Sequence, residues 1–283
     1  MLAAPVRKPP VGEGWLLELK WDGCRAQLIV DRSAWKVRSR TGRCFTPFAE
    51  LEAIAATLTG RRAIVDGELV CLGADGKPDF HALRPRINGA AGAPATFVAF
   101  DVLHLDGLAV RELAYAQRRE LLNSLLPTTG PGWLVPAPLD GHTTDVIRLL
   151  ERERLEGIVA KRLDRPYTPG RRSKDWAKFK LRRSETFLVT GWSPGDARQS
   201  ATIYVARPCS DGTLRPAGAV HLGPRGDQRA ALHTAITQRL RPSHRRIQPV
   251  DAGISVTVDF HGPENRPLRD PVIRHFSLTP SGR

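Results

Sequence analysis

Short apolar runs recur along this chain, and glycine, proline or charged turn residues separate them. Runs of this length predict β-strands, and longer stretches with apolar residues at helical spacing predict helices between them. Together they predict an α+β fold, with a lead-in strap over the first ten residues, which are rich in proline and basic side chains. No run approaches the ~18 apolar residues that a membrane helix needs, so we expect no membrane span. The predicted strands are 16–20, 27–30, 63–72, 96–105, 157–161 and 176–181, and the predicted helices are 48–58, 114–126 and 144–155.

The character of the sequence changes near residues 181–184. Beyond this point short strands with frequent glycine and proline predominate, a pattern that suits a small barrel. A barrel of the OB type would suit a nucleic-acid partner. We therefore predict two domains, 1–182 and 183–283. The predicted strands of the second domain are 185–192, 201–206, 217–222 and 254–260, and its predicted helix is 227–240.

The charge balance is strongly basic, with 43 Lys and Arg against 29 Asp and Glu and a net charge of +14. Such an excess favours a polyanionic partner, because each neutralised phosphate releases counterions. Composition alone leaves a merely soluble, arginine-rich protein as an equal alternative. The four cysteines have no metal-binding or disulfide spacing, which fits a reducing cytosol. The first residues lack the apolar core of a signal peptide, so we expect a cytoplasmic protein.

Residues 16–25 contain the first candidate for catalytic chemistry. Alternation along a strand puts Glu18 and Lys20 on one face, and the chain then turns and presents Arg25. By itself this segment is better explained by a surface lysine beside a hairpin turn. The chemical interpretation therefore depends on what the rest of the chain supplies.

Four further segments supply chemically active side chains. Glu68 follows a glycine that allows close backbone approach, Phe100 lies in an apolar strand, and Glu156 begins another strand. Lys178 and Lys180 alternate along a last strand and therefore share a face. Like charges side by side destabilise a sheet unless an anion lies between them. A nucleotide phosphate would be such an anion.

In this order the segments closely resemble the covalent nucleotidyltransferase superfamily of DNA ligases, RNA ligases and capping enzymes. The resemblance is strongest to bacterial ATP-dependent DNA ligases of the end-joining type, the LigD ligase domain and LigC-like enzymes. Residues 38–43 and 167–176 are similar to that subgroup's signatures, and the similarity is thinner beyond residue 180. It implies a nucleotidyltransferase (adenylation) domain of antiparallel sheets with flanking helices, followed by an OB-fold β-barrel.

The resemblance also implies a role for each candidate residue. Lys20 would be the nucleophile that takes AMP from ATP. The other implied roles are recognition of the adenine amino group by Glu18, ribose binding by Arg25 and Glu68, stacking on adenine by Phe100, binding of Mg²⁺ or Mn²⁺ by Glu156 and Glu68, contact with the α-phosphate by Lys178 and Lys180, and contact with the DNA 5′-phosphate by Arg40 and Arg172.

The chemistry of an attacking lysine independently favours this arrangement. An ordinary lysine, with a pKa of ~10.4, is neutral in only ~1 molecule in 2,500 at pH 7. Lowering that pKa by ~3 units requires about 4 kcal/mol of differential interaction. Neighbouring cations such as Lys178, Lys180 and a bound metal would provide it, and the same cations would offset charge in the phosphoryl transition state.

The expected reaction has three phosphoryl transfers. Lys20 takes AMP from ATP and releases pyrophosphate, and AMP then passes to a 5′-phosphate on DNA. Finally, a 3′-hydroxyl attacks that 5′-phosphate and displaces AMP. The expected substrate is nicked or broken duplex DNA in repair or end joining. The expected partners are end-bridging and polymerase proteins, and we expect a monomer associated with the bacterial nucleoid.

The C-terminal sequence departs from the family pattern. The family closes its barrel domain with a basic motif that orients pyrophosphate, but residues 277–280 lack its charges. Either Arg274 or Arg283 substitutes or the chain is truncated, or self-adenylation is slow while the later steps remain competent. Two other functions stay open, namely an RNA ligase or capping-type nucleotidyltransferase, and a family member that mainly binds nucleotide or nicked DNA.

Overall fold

The computed structural model describes residues 1–45, 48–195, 200–222, 227–243, 245–261 and 268–279. The chain forms two compact units, Met1–Lys180 and Leu181–Arg283. The first unit combines sheets with helices, and the second is mainly antiparallel sheet, so the predicted α+β class is confirmed. None of the helices that these residues form has the length and apolar character needed to cross a bilayer.

The described residues of the first unit form two β-sheets and four α-helices. Its elements are β1 (Leu2–Val6), β2 (Trp15–Leu19), β3 (Cys24–Asp31), β4 (Ala34–Ser39), α1 (Glu52–Thr57), β5 (Arg62–Cys71), α2 (Phe80–Ile87), β6 (Ala95–Leu105), α3 (Tyr115–Leu125), β7 (Thr129–Gly130), β8 (Trp133–Leu134), α4 (Thr143–Arg152), β9 (Gly157–Arg162) and β10 (Arg172–Lys180), with short 3-10 helices at Ala49–Leu51 and Val110–Glu112.

The larger sheet has the strand order β4-β3-β5-β6-β8-β7 and is antiparallel except between β6 and β8. One of its faces packs against helices, where Ile54 of α1, Leu83 of α2 and Leu122 of α3 are fully buried in a single apolar core. Helix α3 is also tied to β6 by a completely buried ion pair, in which Arg118 donates to both carboxylate oxygens of Asp101 at 2.8 and 2.9 Å. The other face of this sheet carries the polar residues of the candidate site.

The smaller sheet has the strand order β1-β10-β9-β2. Strands β2, β9 and β10 pair in antiparallel fashion, whereas β1 runs parallel to β10. Side chains of the two sheets meet, since Trp176 of β10 packs edge-on against Phe100 of β6 with ring centroids 6.0 Å apart. The first unit therefore places strands from both ends of its sequence beside the polar face of the larger sheet.

In the part of the second unit that the structure describes, an antiparallel sheet is accompanied by one helix. Its elements are β11 (Arg183–Ser193), β12 (Thr202–Pro208), β13 (Leu214–His221), α5 (Asp227–Thr237), β14 (Gln248–Pro249), β15 (Ile254–His261) and β16 (Arg269–Leu278). The strand order is β13-β12-β11-β15-β16, with the short β14 also paired to β11. Leu232, Ala235 and Ile236 of α5 are buried in the apolar core of this unit.

The predicted barrel is not closed within the described part of the second unit. Its edge strands β13 and β16 form no ladder, and one backbone hydrogen bond, from Leu268 N to Ala217 O at 3.2 Å, joins the two edges there. Strand β16 is also irregular, with register shifts against β15 and a positive φ of 46° at Asp270. The sequence analysis did not predict a strand for this irregular segment.

The structure corrects other predictions about individual elements. The segment interpreted as a lead-in strap forms β1, a parallel edge strand that contains Pro5 and pairs with β10 from Leu2 to Val6. Helix α2 was not predicted, because Pro85 lies inside it. Asp79 is the N-cap of this helix. Its carboxylate accepts hydrogen bonds from the backbone N–H groups of His81 and Ala82, as is typical of an N-cap.

Candidate active site

Lys20 lies immediately after β2 and is drawn into an ion-pair cluster. Its Nζ is 2.8 Å from Oε2 of Glu156, and Nζ of Lys180 is 3.4 Å from Oε1 of the same carboxylate. The carboxylate of Glu156 thus lies between two ammonium groups that are 160 residues apart in sequence. Lys20 is only about one-fifth exposed, and its side chain does not extend into open solvent.

Backbone geometry around Gly157 brings these three residues together. The backbone N–H of Lys20 donates to Gly157 O at 2.9 Å, and Gly157 pairs with Lys180 across β9 and β10. A Cβ atom on Gly157 would lie 2.1 Å from Phe179 O, so no larger residue fits between these strands. Only glycine therefore allows Glu156, the preceding residue, to reach the ends of both β2 and β10.

Cations are concentrated on the same side of β10. Burial lowers the pKa of Lys178, and the positive charges of Arg172 and Lys180 lower it further. Such a cluster of like charges is costly unless an anion joins it, because each ammonium disfavours the charged form of the others. The arrangement is suited to binding a phosphate group.

Glu18 is buried rather than open to the site. Its Oε2 is 2.7 Å from Nζ of Lys161, and its Oε1 accepts a hydrogen bond from the hydroxyl of Tyr115 and lies 3.4 Å from Nη1 of Arg119. Burial, reinforced by the negative charge of Glu18, raises the pKa of Tyr115 well above its usual range, so the phenol keeps its proton. The predicted adenine-binding carboxylate is therefore held from three directions.

Arg25, a predicted ribose-binding residue, is held in place by neighbouring side chains. It donates to both carboxylate oxygens of Asp66, at 3.1 and 2.6 Å, and to the hydroxyl of Tyr167 at 3.1 Å. Glu68 is its neighbour across β3 and β5, but Arg25 donates its hydrogen bonds to Asp66, Tyr167 and the backbone oxygen of Met1. Burial raises the pKa of Glu68 to about 8, despite the opposing charges of Lys20 and Arg25.

The side chain of Phe100 is half-buried and has two cations close to its ring. Nζ of Lys161 lies 4.3 Å from its ring centroid, and the guanidinium carbon of Arg25 lies 5.6 Å from it. Cations at these distances are attracted to the electron-rich ring face. A base stacked on Phe100 would share the ring with these two cations.

Arg40 and Arg172 line a cleft of about 660 Å³ in the first unit, away from the Lys20 ion pairs. Arg25, Arg111 and Tyr167 line the same cleft. Arg172 donates to Ala3 O at 2.6 Å, which anchors part of its guanidinium at the exposed edge of the sheet. The cleft therefore presents several guanidinium groups to whatever enters it.

Sequence reasoning missed the residues that hold the predicted ones in place. Asp66 and Lys161 both lie inside motifs that were recognised, and a charged residue within an apolar strand was the available signal. Tyr115 and Arg119 had no such signal, since they lie on a helix about 100 residues from Glu18 and ordinary helical spacing accounts for them.

The carboxylates that could hold a divalent metal are few. Within the described ranges, no group of three or more His, Cys, Asp or Glu residues is arranged to bind an ion. Glu156 and Glu68 both lie near Lys20, and the negative charge of Glu156 contributes to the raised pKa of Glu68. Two carboxylates fit Mg²⁺, which is usually bound by one or two carboxylates together with substrate phosphates and water.

Known DNA ligases share this fold. A solved structure described as mycobacterial DNA ligase D complexed with ATP and MES aligns with 100% of this chain and 96% of its own, at a TM-score of 0.58 and 28% identity. The multifunctional non-homologous end joining protein LigD of Mycolicibacterium smegmatis is 36% identical over 190 residues, which are 67% of this chain and 24% of that protein. DNA ligase C2 of the same organism is 33% identical over 243 residues, which are 81% of this chain and 67% of that protein.

The family model described as ATP dependent DNA ligase domain matches residues 1–180. The chain therefore belongs to the family of ATP-dependent DNA ligase domains, as the sequence resemblance predicted. It spans 24% to 35% of the length of the first LigD relatives that it matches.

Proposed function

We propose that this chain seals 5′-phosphate/3′-hydroxyl breaks in DNA with ATP, through a lysyl–AMP intermediate on Lys20. The observation that carries the proposal is the position of Glu156 between Lys20 and Lys180, at 2.8 and 3.4 Å. A lysine that served only for solubility would not be drawn into such a cluster. Membership of the ligase family supports the same assignment.

In the proposed first step, Nζ of Lys20 forms a bond to the α-phosphorus of ATP, and the bond to pyrophosphate breaks. Lys178 and Lys180 lie where they would offset the charge that develops on the transferred phosphoryl group, and positioned charge of this kind accounts for most of the catalysis in phosphoryl transfer. AMP then passes to the 5′-phosphate of the break, and the 3′-hydroxyl displaces it. Phe100, Arg25 and Glu68 would bind the base and ribose.

Glu156 and Glu68 would hold Mg²⁺ or Mn²⁺, together with phosphate oxygens of the substrate. When bound, this cation acts as a Lewis acid and neutralises part of the negative charge on the phosphate. Two properties of the protein bear on this assignment. The carboxylate of Glu156 is ion-paired with Lys20, whereas burial raises the pKa of Glu68 despite the charges of Lys20 and Arg25. A bound cation would supply the charge compensation that Glu68 lacks and would favour its ionised form.

The guanidinium-lined cleft supports DNA as the partner. We propose that Arg40 and Arg172 contact the 5′-phosphate side of the break, and that the two units act as adenylation and OB-type domains. We further propose that the chain acts in end joining, which the names of the LigD relatives support. It would act as a monomer in the bacterial cytoplasm at the nucleoid, with bridging and polymerase proteins as partners. The net charge of +14 also favours DNA as a partner.

The C-terminal departure bears on the rate of the first step. Arg274 is ion-paired to Asp259 of the neighbouring strand at 2.6 Å, and Arg283 lies outside the described residues. An arginine held by its own sheet is a poor substitute for a charge that must orient pyrophosphate. This observation supports slow self-adenylation, so we expect pre-adenylated nicks to be sealed faster than ordinary nicks with ATP. Equal rates would exclude the defect.

Sealing of a nicked duplex by the wild type and by Lys20→Ala tests the proposed function. The wild type should seal nicks with ATP and Mg²⁺, and Lys20→Ala should not. The variant should still seal pre-adenylated nicks, at a reduced rate, because the first step is bypassed. Labelling from GTP instead of ATP, or sealing of RNA alone, would favour an RNA ligase or capping-type enzyme. Binding of nicked DNA without any sealing of either substrate would favour a family member that only binds.

A further inference from the structure

A buried hydrogen-bond network around Glu18 has no part in the proposed phosphoryl transfers. Lys161 lies in it with 1% of its surface exposed, and Glu18 with 3%. Burial of a lysine and a glutamate is costly unless each is paired and hydrogen-bonded. Lys161 also contacts the ring of Phe100, the residue proposed to stack on the base, so a network of this cost points to a role in recognition.

The donors of Lys161 and Tyr115 are fully committed. The Lys161 ammonium has three N–H donors, and its partners are Glu18 Oε2 at 2.7 Å, the hydroxyl oxygen of Tyr115 at 3.1 Å and the backbone oxygen of Phe100 at 3.3 Å. Tyr115 has one hydroxyl proton, and its closest acceptor is Oε1 of Glu18. Neither residue can donate to a ligand without losing a partner.

The acceptors are not fully committed. A carboxylate offers about four lone-pair positions. Oε1 of Glu18 receives Tyr115 and, at 3.4 Å, Arg119, whereas Oε2 receives Lys161. One acceptor position therefore remains on Oε2, in a surrounding that offers no spare donor from Lys161 or Tyr115.

We propose, building on the proposed function, that Tyr115 and Lys161 are positioning residues that make this pocket select purine nucleotides with a 6-amino group. Arg119 assists them from one helical turn beyond Tyr115. A 6-amino group donates an N–H to the open position of Glu18. A 6-oxo group, as in guanine or hypoxanthine, presents a lone pair to an acceptor and is repelled. Selectivity then depends on helix α3 and strand β9 as well as on the strand that carries the nucleophile.

Tyr115→Phe gives the sharpest test, because it removes a single oxygen atom. Without the phenol, Lys161 gains a free N–H that a 6-oxo group can accept. The experiment measures the single-turnover rate of lysyl–nucleotide formation with ATP and with ITP at subsaturating concentrations. We expect the wild type to prefer ATP by about 10- to 100-fold, the range that a hydrogen bond to a charged group provides. In Tyr115→Phe we expect this ratio to fall by about tenfold, with the unfolding midpoint measured alongside as a check on folding.

Tyr167→Phe is the matched control. Its phenol is also buried and also donates to a carboxylate, Oδ2 of Asp66 at 2.9 Å, but it has no contact with Glu18. We expect Tyr167→Phe to change the rates with both nucleotides by a similar factor and to leave the ATP-to-ITP ratio unchanged. An unchanged ratio in Tyr115→Phe, with ATP still accepted by the wild type, would overturn the inference alone. Failure of the wild type to form an adduct with either nucleotide would overturn the proposed function itself.

Discussion

At the scale of single residues, two carboxylates near Lys20 differ in what surrounds them. Glu156 has an ammonium within 3.4 Å of each oxygen. Glu68 is affected most by burial, which raises its pKa to about 8 from an ordinary value of 4.5. At neutral pH, Glu68 is therefore mostly protonated in the folded chain and ionised in the unfolded chain. Folding takes up a proton at this residue, and stability depends on pH accordingly.

Glu68→Gln removes this titration and should change how stability depends on pH. Between about pH 5 and pH 8 the folded wild type holds a proton that the unfolded chain releases, so wild-type stability relative to the variant falls as pH rises. The expected slope is roughly 1.4 kcal/mol per pH unit at most, with no further loss above about pH 8. Denaturant unfolding of both proteins from pH 5 to pH 9, in the presence of a chelator, measures it. A difference that does not vary with pH would show that Glu68 is not buried in this way.

Residues of the site could be predicted where they lie in short motifs. Lys20, Glu156 and Lys180 were each proposed from local sequence, and the structure brings them within ion-pair distance. Tyr115 and Arg119 could not be proposed, because their contact with Glu18 depends on how α3 packs on the sheet. Local patterns identify groups that react or bind, whereas the groups that position them are specified by tertiary packing.

At the scale of elements, the close approach of β9 and β10 is the feature on which the cluster depends. These strands pair from Gly157 with Lys180 to Lys161 with Trp176. The register places Glu156 at the end of one strand beside Lys180 at the end of the other. Any residue that pushes the strands apart at Gly157 should therefore disturb stability and chemistry together.

Gly157→Ala is expected to destabilise the first unit strongly. The new Cβ would lie 2.1 Å from Phe179 O and 2.9 Å from the Cα of Lys180, and backbone atoms cannot yield without breaking the ladder. We expect a loss of roughly 3 kcal/mol or more, in the range of severe overpacking. Gly170→Ala is the control, because Gly170 also has a positive φ but nothing lies within 4 Å of its would-be Cβ. It should lose only about 1 kcal/mol. Equal losses in chemical denaturation would mean that the close approach is not the cause.

Elements were predictable where their apolar pattern was strong. Strands β5 and β6 were predicted at 63–72 and 96–105 and are observed at Arg62–Cys71 and Ala95–Leu105. The edge strand β1 and helix α2 contain Pro5 and Pro85, which argue against regular structure in a local reading. Their formation depends on neighbours, on β10 for the strand and on the Asp79 cap for the helix.

At the scale of the whole molecule, the net charge of +14 should make DNA binding strongly dependent on salt. The guanidinium groups of one cleft, rather than the total charge, should account for binding at the break. Arg172→Gln removes one such group, and Arg84→Gln removes an exposed charge on α2 that does not line the cleft. Both variants have the same net charge.

Binding of a nicked duplex over a series of salt concentrations separates location from total charge. Arg172→Gln should weaken binding and reduce the slope of log K against log salt by about 1, the value for the loss of one phosphate contact. Arg84→Gln should leave the slope close to that of the wild type. The same reduction in both variants would indicate that only overall charge matters and that the cleft is not the DNA site.

The most direct test of the account is the position of the covalent label after incubation with α-labelled ATP and Mg²⁺. Peptide mapping under alkaline conditions should find AMP bonded to Nζ of Lys20, because the P–N bond of a lysyl phosphoramidate survives alkali and is cleaved in acid. Lys20→Arg should not form this adduct, and unlabelled ATP should dilute the label. Long incubation and Mn²⁺ should be included, because slow self-adenylation is expected. Label on any other residue, or none under these conditions, would contradict the assignment of Lys20 as the nucleophile.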